Sequence, residues 1–342
     1  MLMDPVDGDS CPLPDLSRFG YRVLSVVGSG KYGLVVSAAT VSPGGSSNTY
    51  AIKLIRRSSI SEESSVNMQR EITNHAAMNH PFIIHLKEVF LSSTYLCLVM
   101  ELAATTLLAY TQSQPEHRLV EDMARHFLRQ LLVGLDYMHR LGVANRDLKL
   151  ENVLITYQGE ASNMVVKLSD FGYSKHANHS TARSSVGTAG YTAPEVIIGG
   201  IAYDAPTTDI WSLGVMLYVI VAGRFPFDIK SPTWSQDIMS GSFAPLSDVP
   251  HLSQGVENLL RRMLEPSPRR RATLAEIMSH EWVIDGLGDG YRLEDGSKYG
   301  ARVNLGAGVE HKIEEIVRRA SETDHGLDEG DQRCVFDHDF QI

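Results

Sequence analysis

The hydrophobic positions change their period part-way along the chain. From residue 19 to residue 91 apolar and β-branched residues alternate with polar ones. Strands are expected at 21–27, 34–39 and 50–55, joined by a glycine-rich turn and the polar stretch 42–48. Residues 62–78 read as a helix, closed by Asn79-His80-Pro81. Two more strands fall near 84–91 and 95–101. From Val120 onward Met123, Phe127, Gln130, Leu131, Gly134, Leu135 and Met138 recur at helical spacing. Further helices are expected at 209–222, 254–264 and 274–279. The pattern predicts an α+β chain with a small β-rich lobe up to about residue 105 and a larger helical lobe after it.

Composition narrows the class. The 342 residues suit two domains, or one large unit in two lobes, and a hydrophobic share of 43% excludes full disorder and collagen-like structure. No internal repeat is visible at 20–50 residues. The longest apolar run, residues 211–223, is 13 residues against the ~20 a membrane span needs, so a buried helix is expected and no membrane partner. The opening MLMDPVDGDS has no basic region followed by an apolar one, so no signal peptide is expected. Cys11, Cys97 and Cys334 are far apart, which excludes a disulfide scaffold and a four-cysteine zinc module and fits a reducing, cytoplasmic or nuclear compartment. Cys97 is expected in the core, Cys11 and Cys334 in exposed tails. His75, His80 and His85 are spaced by five, which puts no pair on one helical face, so zinc is not expected there.

The formal net charge of −10 is unevenly placed. Residues 1–18 carry four Asp and one Arg, and residues 285–342 carry 14 acids and seven bases. Of the 31 Lys+Arg and 41 Asp+Glu, this leaves 23 of each sign in residues 19–284. A neutral body is thus flanked by an acidic leader, expected to be mobile, and an acidic tail. Such a balance argues against nucleic acid as a partner. In the tail Val309, Ile313, Ile316, Val317 and Ala320 share one helical face over about 309–320, with Glu314 and Arg318 paired at i,i+4 outside. A helix this short is barely stable alone, so its apolar face implies docking.

Five strings carry the chemistry. Gly28-Ser29-Gly30-Lys31-Tyr32-Gly33-Leu34-Val35 lies between two strand patterns; its glycines let backbone N–H groups approach phosphates. A dinucleotide fold would need a helix next, whereas Leu34-Val35-Val36 reads as a strand. Tyr50-Ala51-Ile52-Lys53 is a strand ending in lysine, and Glu71, 18 residues on, could pair with Lys53 and orient it towards phosphates. In Asn145-Arg146-Asp147-Leu148-Lys149-Leu150-Glu151-Asn152 the Asp can accept a hydroxyl proton, the Lys can hold a γ-phosphate and the Asn can ligate a metal ion. Asp170-Phe171-Gly172 offers a main Mg²⁺ ligand, and Ala193-Pro194-Glu195 follows. Each alone could be a polar turn.

In this order and at these separations the set resembles a eukaryotic protein kinase, over about residues 21–283. The resemblance implies a bilobal kinase fold, with a β-rich N-lobe bearing one main helix over about 19–103 and a helical C-lobe over about 104–284. It implies that Gly28, Ser29, Gly30, Lys31, Gly33, Val35, Ala51 and Leu154 surround ATP and that Lys53, paired with Glu71, holds its phosphates. Met100 would stand beside the adenine, with the backbones of Glu101 and Ala103 bonding its edge. Asp147 would be the base, assisted by Lys149; Asn152 and Asp170 would hold Mg²⁺, with Mn²⁺ as an alternative. Asp209 would anchor the loop of Asn145 and Arg146, and Glu195 would meet Arg271 in a buried ion pair. Asp147-Leu148-Lys149 and Gly187-Thr188 resemble serine/threonine kinases.

Further strings, Arg70-Glu71-Ile72 through Asn79-His80-Pro81, Asp170-Phe171-Gly172-Tyr173-Ser174-Lys175 and Ser184-Ser185-Val186-Gly187-Thr188, are similar to plant sucrose-non-fermenting-related kinases of subfamily 2, within the AMP-activated and calmodulin-dependent group. That resemblance implies stress signalling, a monomer, a helix after the catalytic domain that packs on the small lobe, protein substrates, and an upstream kinase and phosphatase acting on Ser184 and Ser185. Two departures stand out. Asn145 replaces the His or Tyr that stacks beneath the Phe171 position, beside Leu86 and His75. The stretch Glu101-Leu102-Ala103-Ala104 lacks the usual Gly-Gly-Glu. They keep a pseudokinase scaffold open as the alternative, although Lys53, Glu71, Asp147, Lys149, Asn152 and Asp170 are all present. A small-molecule kinase is disfavoured by the text from Gly187 to Glu195.

Overall fold

A computed structural model describes residues 13–30, 33–41, 47–159, 163–170, 190–199, 203–288, 293, 296–322 and 332–336. The small lobe is an antiparallel sheet built from β1 (Tyr21–Gly30), β2 (Gly33–Thr40), β3 (Thr49–Arg56), β4 (Leu86–Leu91) and β5 (Tyr95–Glu101), in the order β1-β2-β3-β5-β4. Side chains alternate across it. Ile52, Leu54, Cys97 and Val99 face one buried cluster with Tyr21 and Phe90, while Ile55, Leu96 and Leu98 face another. Leu16, within the expected leader, is buried in the first cluster, and Phe19 stacks on Phe90 at 4.2 Å, so the packed body begins before residue 19.

Helix α1 (Glu62–Ala76) covers the second cluster. It starts at Ser61, whose Oγ accepts the Ser64 N–H at 3.2 Å while Ser64 Oγ accepts the Ser61 N–H at 2.9 Å. Glu62 and Glu63 in the first turn suit the positive helix end. Met68, Ile72, His75 and Ala76 face inward.

The large lobe opens with a short sheet of β6 (Thr105–Thr106), β7 (Val153–Tyr157) and β8 (Met164–Leu168), and with α2 (Leu107–Ser113) and α3 (Glu121–Arg140). α4 (Pro194–Ile198), α5 (Ala205–Ala222), α6 (Trp234–Ser240), α7 (Gln254–Met263), α8 (Leu274–Met278) and α9 (Glu281–Ile284) follow. α5 begins a turn before the expected residue 209: Asp204 Oδ2 accepts the Thr207 N–H at 3.2 Å and Pro206 occupies the first turn, both helix-starting devices. It is long and apolar enough to cross a membrane, yet 78% of that window is buried inside the lobe, against Phe127, Leu131, Leu259 and Met263 among others.

The tail returns to the small lobe. α10 (Gly306–Ser321) lays Ile313, Ile316, Val317 and Ala320 against Met68 and Ile72 of α1 and against Leu96 and Leu98. Arg57 caps its end, donating through Nη2 to Arg319 O at 2.8 Å and Glu322 O at 2.9 Å. The expected Glu314–Arg318 pair is not formed. Arg318 pairs with Glu322 and Arg319 with Glu315 at 2.7 Å, each joining a residue to a partner four positions away near the carbonyl end. β9 (Arg333–Val335) then adds a sixth strand beyond β4, with Cys334 opposite Val89. Cys334 is therefore buried, not exposed as expected: the open β4 edge pairs with the tail, and strand alternation turns the thiol into the core beside Phe336. Cys97 is buried as its strand position implies, and Cys11 lies outside the described residues.

Ile316 is almost fully buried, so Ile316→Ala is expected to lower the unfolding free energy by about 2–4 kcal/mol in a denaturant titration. Arg318→Ala, which removes an exposed pair, is expected to change it by about 0–0.5 kcal/mol.

Candidate active site

The β1–β2 hairpin places Gly28, Ser29 and Gly30 on one strand and Gly33 and Val35 on the next, with Gly30 opposite Gly33. Gly33 has φ 152°, and a Cβ there would lie 1.7 Å from Leu54 O, so no other residue fits. Lys31 lies outside the described residues. Beneath the hairpin Val35 pairs with Lys53, and Ala51 pairs with Met100, which also faces Leu86. Leu154, opposite Thr106 on β7, and Ala103 are half-buried at the junction of the lobes.

Glu101 is held by its side chain. Its Oε1 accepts the His85 N–H at 2.8 Å, and Lys167 of β8 donates to Oε1 and Oε2 at 2.8 and 2.9 Å. Lys167 drew no notice in the sequence because nothing local marks a lysine on an inner strand as the partner of a distant acid. Leu168 N–H to Phe82 O and Ile84 N–H to Leu168 O, both 2.9 Å, stitch the same junction.

The loop from Asn145 to Asn152 hangs from Asp209 of α5. That buried carboxylate accepts the N–H groups of Asn145 at 2.9 Å and Arg146 at 2.8 Å, and its Oδ2 lies 2.9 Å from His139 Nε2 at the end of α3. Arg146 has φ 64°, a left-handed conformation costing about 1–3 kcal/mol in a non-glycine residue. Asp147 Oδ2 accepts from Lys149 Nζ at 2.8 Å and from Asn152 Nδ2 at 3.0 Å. Asn152 O accepts both Ser169 N–H at 3.0 Å and Ser169 Oγ–H at 2.8 Å. Ser169, missed in the sequence, thereby locks Asp170 to the loop. Asn152 spends its amide nitrogen on Asp147, which leaves its oxygen as the group to offer a cation. With the Asp170 carboxylate that makes two hard oxygen donors, the number and type that magnesium takes from protein when phosphates supply others. Among the described residues no group of three His, Cys, Asp or Glu is arranged to hold a metal.

The expected Lys53–Glu71 pair is not formed. Asp170, also left-handed at φ 52°, brings Oδ1 to 2.9 Å from Lys53 Nζ. Glu71 is half-buried, and its Oε2, shielded from solvent, lacks a hydrogen-bond partner among the described residues. Burial, helped by the negative charge of Asp170, pushes its carboxyl up to about 8 against the pull of Lys53, Arg146 and Arg70. The lysine that would hold Glu71 charged is engaged with Asp170 instead.

Beyond the loop, Arg271 grips Glu195 of α4 in a two-pronged pair, Nη1 to Oε1 at 2.7 Å and Nη2 to Oε2 at 2.9 Å. It also donates to Thr207 O and Glu265 O and lies over the Trp211 ring, so a fully buried guanidinium has every side satisfied. His75 is buried in the small lobe, its Nε2 2.6 Å from Ile84 O. Phe171, Ser184, Ser185 and Thr188 lie outside the described residues.

A two-lobed chain whose lysine, two aspartates and asparagine meet under a glycine hairpin has the arrangement of a phosphoryl-transfer site. The chain matches the protein kinase domain over residues 21–283 and belongs to that family. It is similar to serine/threonine-protein kinase SRK2J of Arabidopsis thaliana, 37% identical over 308 residues, 88% of each chain. Serine/threonine-protein kinase SRK2C of the same plant is 38% identical over 275 residues, 78% of this chain and 76% of its own. SAPK4 of Oryza sativa subsp. japonica is 38% identical over 273 residues, 78% and 72% respectively. The protein is a serine/threonine protein kinase, and its family implies ATP, a divalent metal and protein substrates.

Because the folded protein holds a proton on Glu71 that the unfolded chain releases near the ordinary carboxyl value of 4.5, stability falls as pH rises from there to about 8. Glu71→Gln carries no such proton. Its stability relative to wild type is expected to rise across that window and level off above it, measured by thermal unfolding between pH 5 and 9.

Proposed function

We propose that this kinase transfers the γ-phosphoryl group of magnesium-bound ATP to serine and threonine hydroxyls of protein substrates in a signalling pathway. The observation that supports it best is the pair of carboxylates, Asp147 and Asp170, held by Lys149, Asn152 and Lys53 and joined through the Ser169–Asn152 bond. Asp147 accepts the proton of the attacking hydroxyl. Lys149, already on the same carboxylate, turns to the γ-phosphate as charge moves there. Asn152 and Asp170 offer oxygens to Mg²⁺, or to Mn²⁺ in its place, and the ion supplies charge neutralisation to the phosphates. Lys53 holds the phosphates, the hairpin of Gly28, Gly30 and Gly33 covers them, and Ala51, Leu154 and Met100 enclose the adenine, whose edge meets the backbones of Glu101 and Ala103. Little of this is covalent work: positioning and charge do most of it.

Activation follows phosphorylation of Ser184, with Ser185 as a second site, by an upstream kinase, and a phosphatase reverses it. A phosphate there adds about −1.5 to −2 charge, and Arg146, the residue before the base, is the arginine that would pair with it. The free, buried thiols of Cys97 and Cys334 suit a reducing compartment, cytoplasm or nucleus.

Asp147→Asn is expected to lower phosphate transfer from labelled ATP to a basic peptide by about 10²- to 10⁴-fold; a signal equal to wild type would favour the scaffold reading. Ser184→Ala with Ser185→Ala is expected to abolish the stimulation given by an activating kinase, read as kcat before and after its treatment.

A further inference from the structure

We propose that Asn145 is a positioning residue: its side chain closes a turn on the backbone of Asp147 and so sets the direction of that carboxylate. The proposal rests on the reading of Asp147 as the base. Three consecutive N–H groups, those of residues 145, 146 and 147, are each held by a side-chain oxygen. Asp209 holds the first two. The third goes to Asn145 Oδ1 at 3.2 Å, a side-chain oxygen accepting from the backbone two residues on, which is an Asx turn. Between these holds lies Arg146, left-handed at φ 64°, and such a conformation persists only where its surroundings fix it on both sides. Asp209 acts before it and Asn145 after it.

The chemistry of the position points the same way. Asn145 is almost fully buried, and its Nδ2 has no hydrogen-bond partner among the described residues. An unsatisfied buried amide nitrogen is unfavourable. A leucine would fill similar space without it, but could not close the turn. The bond to the Asp147 N–H is what the asparagine contributes at this position. On its far side the Asp147 carboxylate is held by Lys149 and Asn152, and Asn152 Nδ2 also donates to Asp147 O at 2.9 Å, so the Asn145 bond fixes the N–H side of the same residue. Asn145 touches neither the hydroxyl nor the phosphate; it acts through Asp147, which predicts an effect on kcat and not on ATP affinity.

The test compares Asn145→Leu, Asn145→Ala and Asn145→Ser in the full chain, with Asp147→Asn alongside, using steady-state transfer to a peptide and thermal unfolding of each. Serine can accept the same N–H, more weakly; leucine and alanine cannot. Leucine and alanine are expected to lower kcat by about five-fold, the size of one lost hydrogen bond, with the ATP KM within about two-fold of wild type. Serine is expected to recover most of that loss, and Asn145→Leu to unfold no earlier than wild type. Wild-type kcat in the leucine variant, a serine variant no better than alanine, or a loss confined to the ATP KM would each overturn the proposal. An Asp147→Asn protein as active as wild type would instead remove the base reading on which it stands. Should alanine fail to fold, the leucine and serine pair decides alone.

Discussion

One buried carboxylate organises the large lobe's share of the site. Asp209 is fixed in α5, a helix enclosed on nearly every side, and from there it takes two successive backbone N–H groups and faces the end of α3. A loop alone could not hold a left-handed arginine, since that conformation is unfavourable for any residue with a Cβ. A charge shielded from water makes strong hydrogen bonds to N–H groups, and losing it would strand them in the interior. The direction of Asp147, the reach of Lys149 and Asn152, and the Ser169 bridge to Asp170 all depend on that grip. Arg271 and Glu195 do the same for the next segment, tying α4 to the loop before α8.

The small lobe is braced differently. Its sheet presents an apolar face to α1, and α1 alone does not cover it. α10 supplies a second layer, Arg57 satisfies the carbonyls at its end, and β9 closes the edge that β4 would otherwise expose. The helix carrying Glu71 is therefore packed between the sheet and the tail, and its position is set by both. That links a segment more than two hundred residues away to the interior in which Glu71 holds its proton.

Much of the fold was legible in the chain because local signals agreed. Period-two alternation marked the first five strands, and the Asn79-His80-Pro81 stop marked the end of α1 to within two residues. The short strands β6, β7 and β8 were not read. β6 is only two threonines, and β7 and β8 are five-residue runs with no distinctive period, so only their mutual pairing makes them strands. β9 was hidden for the same reason: Arg333-Cys334-Val335 has no strand character apart from the β4 edge it joins.

The sequence by itself determined the chemistry present. Lys53, Asp147, Lys149, Asn152 and Asp170, at their separations, specify a phosphoryl-transfer set, because residue type and order along the chain are what those roles require. The tertiary structure decided which charges meet. Lys53 goes to Asp170 while Glu71 stays protonated, Glu101 goes to Lys167, Ser169 joins Asn152, and Cys334 is buried. Those outcomes depend on distance, burial and competing partners, which are properties of a packed interior. No spacing along a chain encodes them.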